Sequence, residues 1–104
     1  MMVVNVTTYG GVEKAKRRGV IYCGRPSCLG NYADTLKTED DRPRVIAAYR
    51  QWLLDMIAEN DDPVMDALRE LKEDSILGCW CKPLACHADV IVEVWTDLKA
   101  RGVI

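Results

Sequence analysis

Residues 76–87 read ILGCWCKPLACH, and this stretch decides the fold. Its first half is mostly apolar and contains β-branched and aromatic residues, so residues 76–81 are predicted to form a buried strand. Pro83 then turns the chain, and residues 88–101 are predicted to form a helix that ends at Gly102. A strand that runs through a short loop into a helix is typical of α/β proteins.

The upstream sequence predicts two more strands and two more main helices. The strands fall at residues 3–6 and 20–23, a short helix at 12–18, and the main helices begin near Asp41 and Asp62, each followed by proline. Two helices between the second and third strands favour a parallel pair. We therefore predict a single α/β domain over residues 1–104, with a sheet of about three strands, including a parallel pair, covered by three main helices.

Apolar residues at helical spacing identify the predicted core. Trp80 is predicted to pack away from the neighbouring cysteines, and the Tyr49 hydroxyl to lie at the edge of the core. The inward-facing helical residues are Val45, Ile46, Tyr49, Trp52, Leu53, Met56, Ile57, Val64, Met65, Leu68, Leu71, Val90, Ile91, Val94, Trp95 and Leu98.

The composition restricts the classes of function. A net charge of −2 argues against general nucleic-acid binding, and no apolar run is long enough to span a membrane. The first residues lack the pattern of a secretory signal, so we expect a cytoplasmic protein. Three of the five cysteines fall within residues 79–86, a crowding that in the cytoplasm indicates metal ligation or thiol chemistry before disulfides.

One interpretation of this crowding is a zinc site. Cys79 and Cys81 alternate along the predicted strand and would point to one face, and Cys86 and His87 follow after the turn. Three thiols and an imidazole are suitable ligands for tetrahedral zinc, although the spacing differs from the usual Cys-x-x-Cys pattern.

A second interpretation is nucleophilic catalysis by Cys86, His87 and Asp89. A cysteine in the first turn of a helix has its thiolate stabilised by the helix dipole, and the other two residues could act as base and orienting group. Neighbours along a helix do not face one another, which counts against a Cys86–His87 dyad. A structural interpretation also stays open, in which the cysteines are small buried apolar residues and His87 caps the helix.

The third interpretation is an anion site. If the last two strands are parallel, the loops 24–31 and 82–87 open at the same edge of the sheet, where α/β sheets bind ligands. Arg25 would supply the charge, and Gly24, Gly30 and Asn31 would let the first loop approach the ligand closely. Free backbone N–H groups near Ala88 and Asp89, at the start of the last helix, would complete the site.

Several motifs together resemble a known family. They are Val3-Val4-Asn5, Tyr22-x-Gly24-Arg25-Pro26-Ser27, Leu29-Gly30-Asn31, Tyr49-Arg50-x-Trp52-Leu53 and Cys79-Trp80-Cys81-x-Pro83-x-x-Cys86-His87-x-Asp89. The chain resembles, over nearly its whole length, domain of unknown function 4326, found in bacteriophages and bacteria. The resemblance implies a functional site at Gly24, Arg25, Asn31, Cys79, Cys81, Cys86, His87 and Asp89. It implies no reaction, and Cys23 and Cys28 lie outside its pattern.

These observations predict a protein that binds a small nucleotide-like or otherwise anionic molecule between the two loops. They leave open whether the protein is an enzyme. The alternative is a zinc-stabilised interaction module that acts on a host protein.

Overall fold

A parallel sheet forms the centre of the computed structural model, which describes residues 1–31 and 38–104. In this part of the chain the sheet has three strands in the order β1-β3-β2, namely β1 (Met2–Asn5), β3 (Ile76–Cys79) and β2 (Val20–Tyr22). Val3 and Ile21 both align with Leu77, one from each side. The predicted α/β fold and the parallel pairing of the last two strands are confirmed, and β1 is parallel to β3 as well.

The three main helices form the larger core with one face of the sheet. They are α2 (Arg42–Ala58), α3 (Asp62–Glu70) and α4 (His87–Ala100), and Leu77 and Cys79 of β3 pack among them. The predicted stripes of α3 and α4 are buried, as are Val45, Tyr49 and Leu53 of α2. The other stripe residues of α2, Trp52 among them, are partly buried against this core.

A smaller core lies on the opposite face of the sheet. The short helix α1 (Val12–Arg17) and a 3-10 turn (Val6–Tyr9) bury Val6, Ala15 and Val20 there. Gly78 allows this packing, because a Cβ at that position would lie 2.7 Å from a methyl group of both Val6 and Val20. A side chain at Gly78 would therefore push the smaller core away from the sheet.

The helices α2 and α3 begin where the capping residues and prolines predict. The Asp61 carboxylate accepts a hydrogen bond from the Val64 N–H at 3.2 Å, and Pro63 occupies the first turn of α3. A 3-10 turn (Glu39–Asp41) leads into α2, with Pro43 in its first turn. Each proline stands where a helix has no partner for a backbone N–H, which explains why the prediction holds.

The predicted boundaries of the first and third strands are wrong by one or two residues. β1 ends at Asn5, before Val6, and β3 ends at Cys79, before Cys81. The Asn5 side chain explains the second difference, because its amide donates to the carbonyls of Trp80, at 3.1 Å, and Lys82, at 2.8 Å. These bonds hold the two peptide groups in a bend.

This early end of β3 corrects two further predictions. Cys79 and Cys81 do not share a strand face, since Cys79 is buried in the core and Cys81 lies half-buried in the loop. Trp80 does not pack into the interior, and 53% of its surface is exposed. The last helix begins at His87, one residue earlier than predicted.

Within residues 1–31 and 38–104, no helix combines the length and the apolar character that crossing a membrane requires.

Candidate ligand-binding cleft

A cleft of about 330 Å³ opens beyond the carboxyl ends of β2 and β3. It receives residues from both predicted loops and from the first turn of α2. Its lining consists of Tyr22, Gly24, Arg25, Asn31, Arg42, Val45, Ile46, Trp80, Cys81, Cys86 and His87. The sheet topology accounts for its position, because parallel neighbours β2 and β3 send their following loops to the same edge.

The first wall of the cleft is the loop of residues 23–31, which folds tightly upon itself. The Ser27 N–H donates to the Gly24 carbonyl at 2.9 Å, and the Gly30 N–H donates to the Ser27 carbonyl at 3.0 Å. From the core, the Tyr49 hydroxyl donates to the Leu29 carbonyl at 2.7 Å. Burial of this hydroxyl raises its pKa above the usual range, which keeps it protonated as a donor.

Gly24 and Gly30 are closely surrounded by the protein itself. A Cβ on Gly24 would lie 2.2 Å from the Tyr22 hydroxyl, and one on Gly30 would lie 2.9 Å from the Arg25 backbone nitrogen. Both glycines therefore permit close packing within the protein. The prediction that they give a ligand access to the backbone receives no support from these contacts.

Two arginines bring positive charge to the cleft. Arg25 is exposed, and none of the ion pairs in the described residues involves it. Arg42 is held in place, since its Nη1 donates to the Ala85 carbonyl at 2.8 Å and its Nη2 lies 2.8 Å from the Glu39 carboxylate. Hydrogen bonds raise the pKa of Arg42 above its usual value, and the bond to Cys81 contributes more than the bond to Glu39. The sequence analysis did not identify Arg42 as a site residue, because the adjacent Pro43 indicates only that a helix begins at this position.

Two aromatic rings also line the cleft. The Trp80 Nε1 donates to the Tyr22 hydroxyl at 2.8 Å, and the two rings meet edge to face with centroids 6.5 Å apart. This bond fixes the indole orientation while the ring stays exposed. Sequence reasoning missed both residues as cleft residues, although an aromatic residue between two cysteines at a strand end is a signal that could have identified Trp80.

The start of α4 is capped by the chain itself. The Asp89 carboxylate accepts the Cys86 N–H at 3.1 Å, and the Asp89 N–H donates to the Cys86 carbonyl at 3.1 Å. The Asp89 N–H, one of the groups predicted to be free, is thus engaged. Cys86 is the N-cap of α4 and does not lie in its first turn.

Asp89 also forms an ion pair within the second loop. Its carboxylate lies 2.6 Å from the Lys82 Nζ, and this hydrogen bond raises the pKa of Lys82. The pair ties the loop of residues 80–86 to the first turn of α4. Asp89 therefore stabilises the start of the helix, and Cys86, not His87, is its N-cap.

His87 is held between the two loops. Its Nε2 lies 2.6 Å from the Cys23 carbonyl, which can only accept a hydrogen bond, so the nitrogen carries the proton. Its ring meets the Tyr49 ring edge to face at 4.8 Å. Burial lowers the pKa of His87, so the ring is neutral at pH 7. In this arrangement the Cys86 thiol contacts Cys79, the His87 ring bonds to the Cys23 carbonyl, and the Asp89 carboxylate bonds to Lys82 and to the Cys86 N–H.

Two of the predicted site cysteines are in contact. The Sγ atoms of Cys79 and Cys86 lie 3.1 Å apart, and both residues are buried. The hydrogen bond from Cys86 lowers the pKa of Cys79, and the backbone N–H groups of Cys81 and Lys82 act in the same direction. The same contact raises the pKa of Cys86, so the pair favours one thiolate beside one thiol.

The cysteines outside the family pattern differ from each other. Cys23 belongs to the core, which agrees with the structural interpretation of the cysteines, and burial raises its pKa to about 12. Cys28 is exposed, so the prediction of a buried apolar role is wrong for this residue. Its loop position places it on the surface.

The donors suggested for zinc are only partly brought together. In the described ranges 1–31 and 38–104, no three His, Cys, Asp or Glu side chains are grouped as metal ligands. Cys79 and Cys86 meet, whereas the His87 Nε2 bonds to the Cys23 carbonyl. The zinc site at Cys79, Cys81, Cys86 and His87 stays a prediction.

Comparison with known proteins gives one match. The sequence model of a family described as domain of unknown function (DUF4326) matches residues 6–97. No curated protein and no solved structure matches the chain.

Proposed function

The chain belongs to the DUF4326 family, whose description assigns no activity, and from the cleft we propose that it binds a small anionic, nucleotide-like molecule. The observation that carries this proposal is the position of Arg25 and Arg42 in one cleft with the exposed ring of Trp80. The cleft volume of about 330 Å³ falls within the usual range for small-molecule sites.

The charge of the ligand follows from the two guanidinium groups. Arg25 has no ion-pair partner in the described part of the chain, and the single acidic partner of Arg42 is Glu39. Guanidinium groups bind phosphate and carboxylate oxygens through paired, charge-assisted hydrogen bonds. A phosphate or carboxylate in the cleft would make such bonds with Arg25 despite the net negative charge of the chain. Arg42 already bonds to Glu39 through Nε and Nη2, so it would add its remaining Nη1 hydrogen.

The nucleotide-like character follows from Trp80. An exposed indole whose orientation is fixed by Tyr22 presents a flat surface beside the arginines. Stacking of a nucleobase on an aromatic side chain contributes about 1–3 kcal/mol. Asn31 and His87, which also line the cleft, supply polar groups that could orient the ligand.

Replacing Arg25 by alanine is expected to weaken binding of adenosine 5′-monophosphate by about 10- to 100-fold, the effect of losing a charge-assisted hydrogen bond. Thermal-shift titration and calorimetry measure the change. Arg17→Ala is the matched control, because Arg17 is also exposed but lies on α1, outside the cleft lining. Equal affinities of Arg25→Ala and wild-type protein would contradict the proposal.

Replacing Trp80 by leucine tests the aromatic half of the ligand. We expect adenosine 5′-monophosphate to bind about 5- to 100-fold more weakly, because the leucine side chain offers no ring for stacking. Ribose 5-phosphate is the control ligand, and its affinity should be the same for wild type and variant. An equal loss for both ligands would mean that Trp80 supports the shape of the cleft and does not stack on a base.

A further inference from the structure

The sulfur atoms of two residues at the ends of consecutive structural elements meet beneath the cleft. Cys79 is the last residue of β3 and Cys86 is the N-cap of α4, and their Sγ atoms are 3.1 Å apart. A disulfide requires about 2.05 Å between the sulfurs. A movement of about 1 Å would therefore bring the two thiols to bonding distance.

We propose that Cys79 and Cys86 form a redox modification site, which a small peroxide closes to an intramolecular disulfide and a thiol reductant reopens. The proposal rests on this pair of thiols and does not depend on the anionic ligand proposed above. The chemistry requires a two-electron oxidant, and hydrogen peroxide is small enough to approach through the cleft that Cys86 lines.

The reaction balances with one peroxide for each pair of thiols. One thiolate attacks a peroxide oxygen, the O–O bond breaks, and the sulfur becomes a sulfenic acid while the departing hydroxide takes a proton to form water. The second sulfur then attacks the first, the S–O bond breaks, and a second water leaves. Overall, the two thiols lose two electrons and two protons, and the peroxide is reduced to two molecules of water.

The surroundings favour this pair over Cys23 and Cys28. Cys79 and Cys86 are 1% and 2% exposed, so a sulfenic acid formed there has the partner sulfur as its neighbour and little contact with solvent. Cys23 is directed elsewhere, with its thiol 3.5 Å from the Ile21 carbonyl, and Cys28 lies on the surface. The disulfide would close a loop over residues 79–86 and join the end of β3 to the start of α4.

The test is treatment with hydrogen peroxide, followed by quenching, unfolding, alkylation of the remaining thiols and intact-mass measurement. We expect the oxidised protein to lose two hydrogens, and three of its five cysteines to be alkylated. Fragment mass spectrometry of wild-type protein should assign the protected pair to Cys79 and Cys86. Dithiothreitol should restore all five thiols, and the oxidised form should melt several degrees higher, because a disulfide restricts the unfolded chain.

Two variants serve as controls. Cys28→Ser removes the exposed thiol and should still lose two hydrogens, whereas Cys86→Ser should not. If Cys86→Ser does not fold, fragment mass spectrometry of the wild-type protein still shows which cysteines form the disulfide. Stable addition of oxygen to a single cysteine, a disulfide that involves Cys23, Cys28 or Cys81, or five alkylated thiols after peroxide treatment would overturn the proposal.

Discussion

Replacing Tyr49 by alanine is expected to destabilise the protein by about 3–5 kcal/mol, the usual effect of truncating a buried aromatic residue. Tyr49 is completely buried on α2, where its ring contacts those of Trp52, with centroids 5.5 Å apart, and His87, with centroids 4.8 Å apart. Denaturant unfolding of the variant and the wild type measures the difference. A loss below about 1 kcal/mol would show that the ring is not part of a closely packed core.

Tyr49→Phe is the matched variant, because it keeps the ring and removes only the hydroxyl that donates to the Leu29 carbonyl. We expect it to cost about 1–3 kcal/mol, because a buried carbonyl loses its partner. It should also weaken binding of adenosine 5′-monophosphate, since the loop that carries Arg25 loses its attachment to α2. Unchanged affinity in Tyr49→Phe would mean that other contacts are sufficient to position the loop.

Replacing Gly30 by alanine is expected to cost about 1–3 kcal/mol and to reduce nucleotide affinity more than tenfold. The new Cβ would lie 2.9 Å from the backbone nitrogen and 3.0 Å from the Cα of Arg25, and backbone atoms cannot turn aside as a flexible side chain can. The loop must open, which moves Arg25 relative to Arg42. Unfolding measurements and calorimetry give the two effects separately.

Gly102→Ala is the control for this substitution. Gly102 has a φ of +73°, so alanine there is strained, but its Cβ would have no neighbour within 4 Å. We expect a loss of about 1 kcal/mol in stability and no change in affinity. If Gly30→Ala bound the nucleotide as tightly as Gly102→Ala does, the shape of the loop would not matter for the cleft.

Much of the fold follows from local sequence patterns. The apolar stripes of α2, α3 and α4 and the prolines at two helix starts depend on neighbours within a turn or two, so the sequence is sufficient to predict them. The parallel pairing of β2 and β3 also follows, because two intervening helices supply a connection long enough to return the chain to the same edge.

The end of β3 could not be predicted from the sequence around it. Asn5 bonds to the carbonyls of Trp80 and Lys82, which follow it by 75 and 77 positions in the chain. No local pattern around Cys81 carries this information. The exposure of Trp80 depends on the same bend, and for this reason a prediction from strand alternation placed its side chain inside.

The candidate site was predicted in part. Gly24, Arg25, Asn31, Cys86 and His87 do line one cleft, because the topology brings the two loops together. Arg42 enters the cleft from a helix that the sequence identifies only by its cap and its apolar stripe. The capping of α4 by Asp89 depends on side-chain geometry.

The most direct test of nucleotide binding in the cleft is an NMR titration of wild-type protein with adenosine 5′-monophosphate, observed through the indole N–H signals. The chain has three tryptophans, of which Trp95 is buried and Trp52 partly buried, so they provide an internal control. We predict that the Trp80 indole signal and the Arg25 and Asn31 amide signals shift in a saturable way, while those of Trp52 and Trp95 stay in place. A saturating titration that leaves the Trp80 and Arg25 signals unshifted would contradict nucleotide binding in the cleft. A titration that shifts only signals on the far faces of α2 and α4 would contradict it as well.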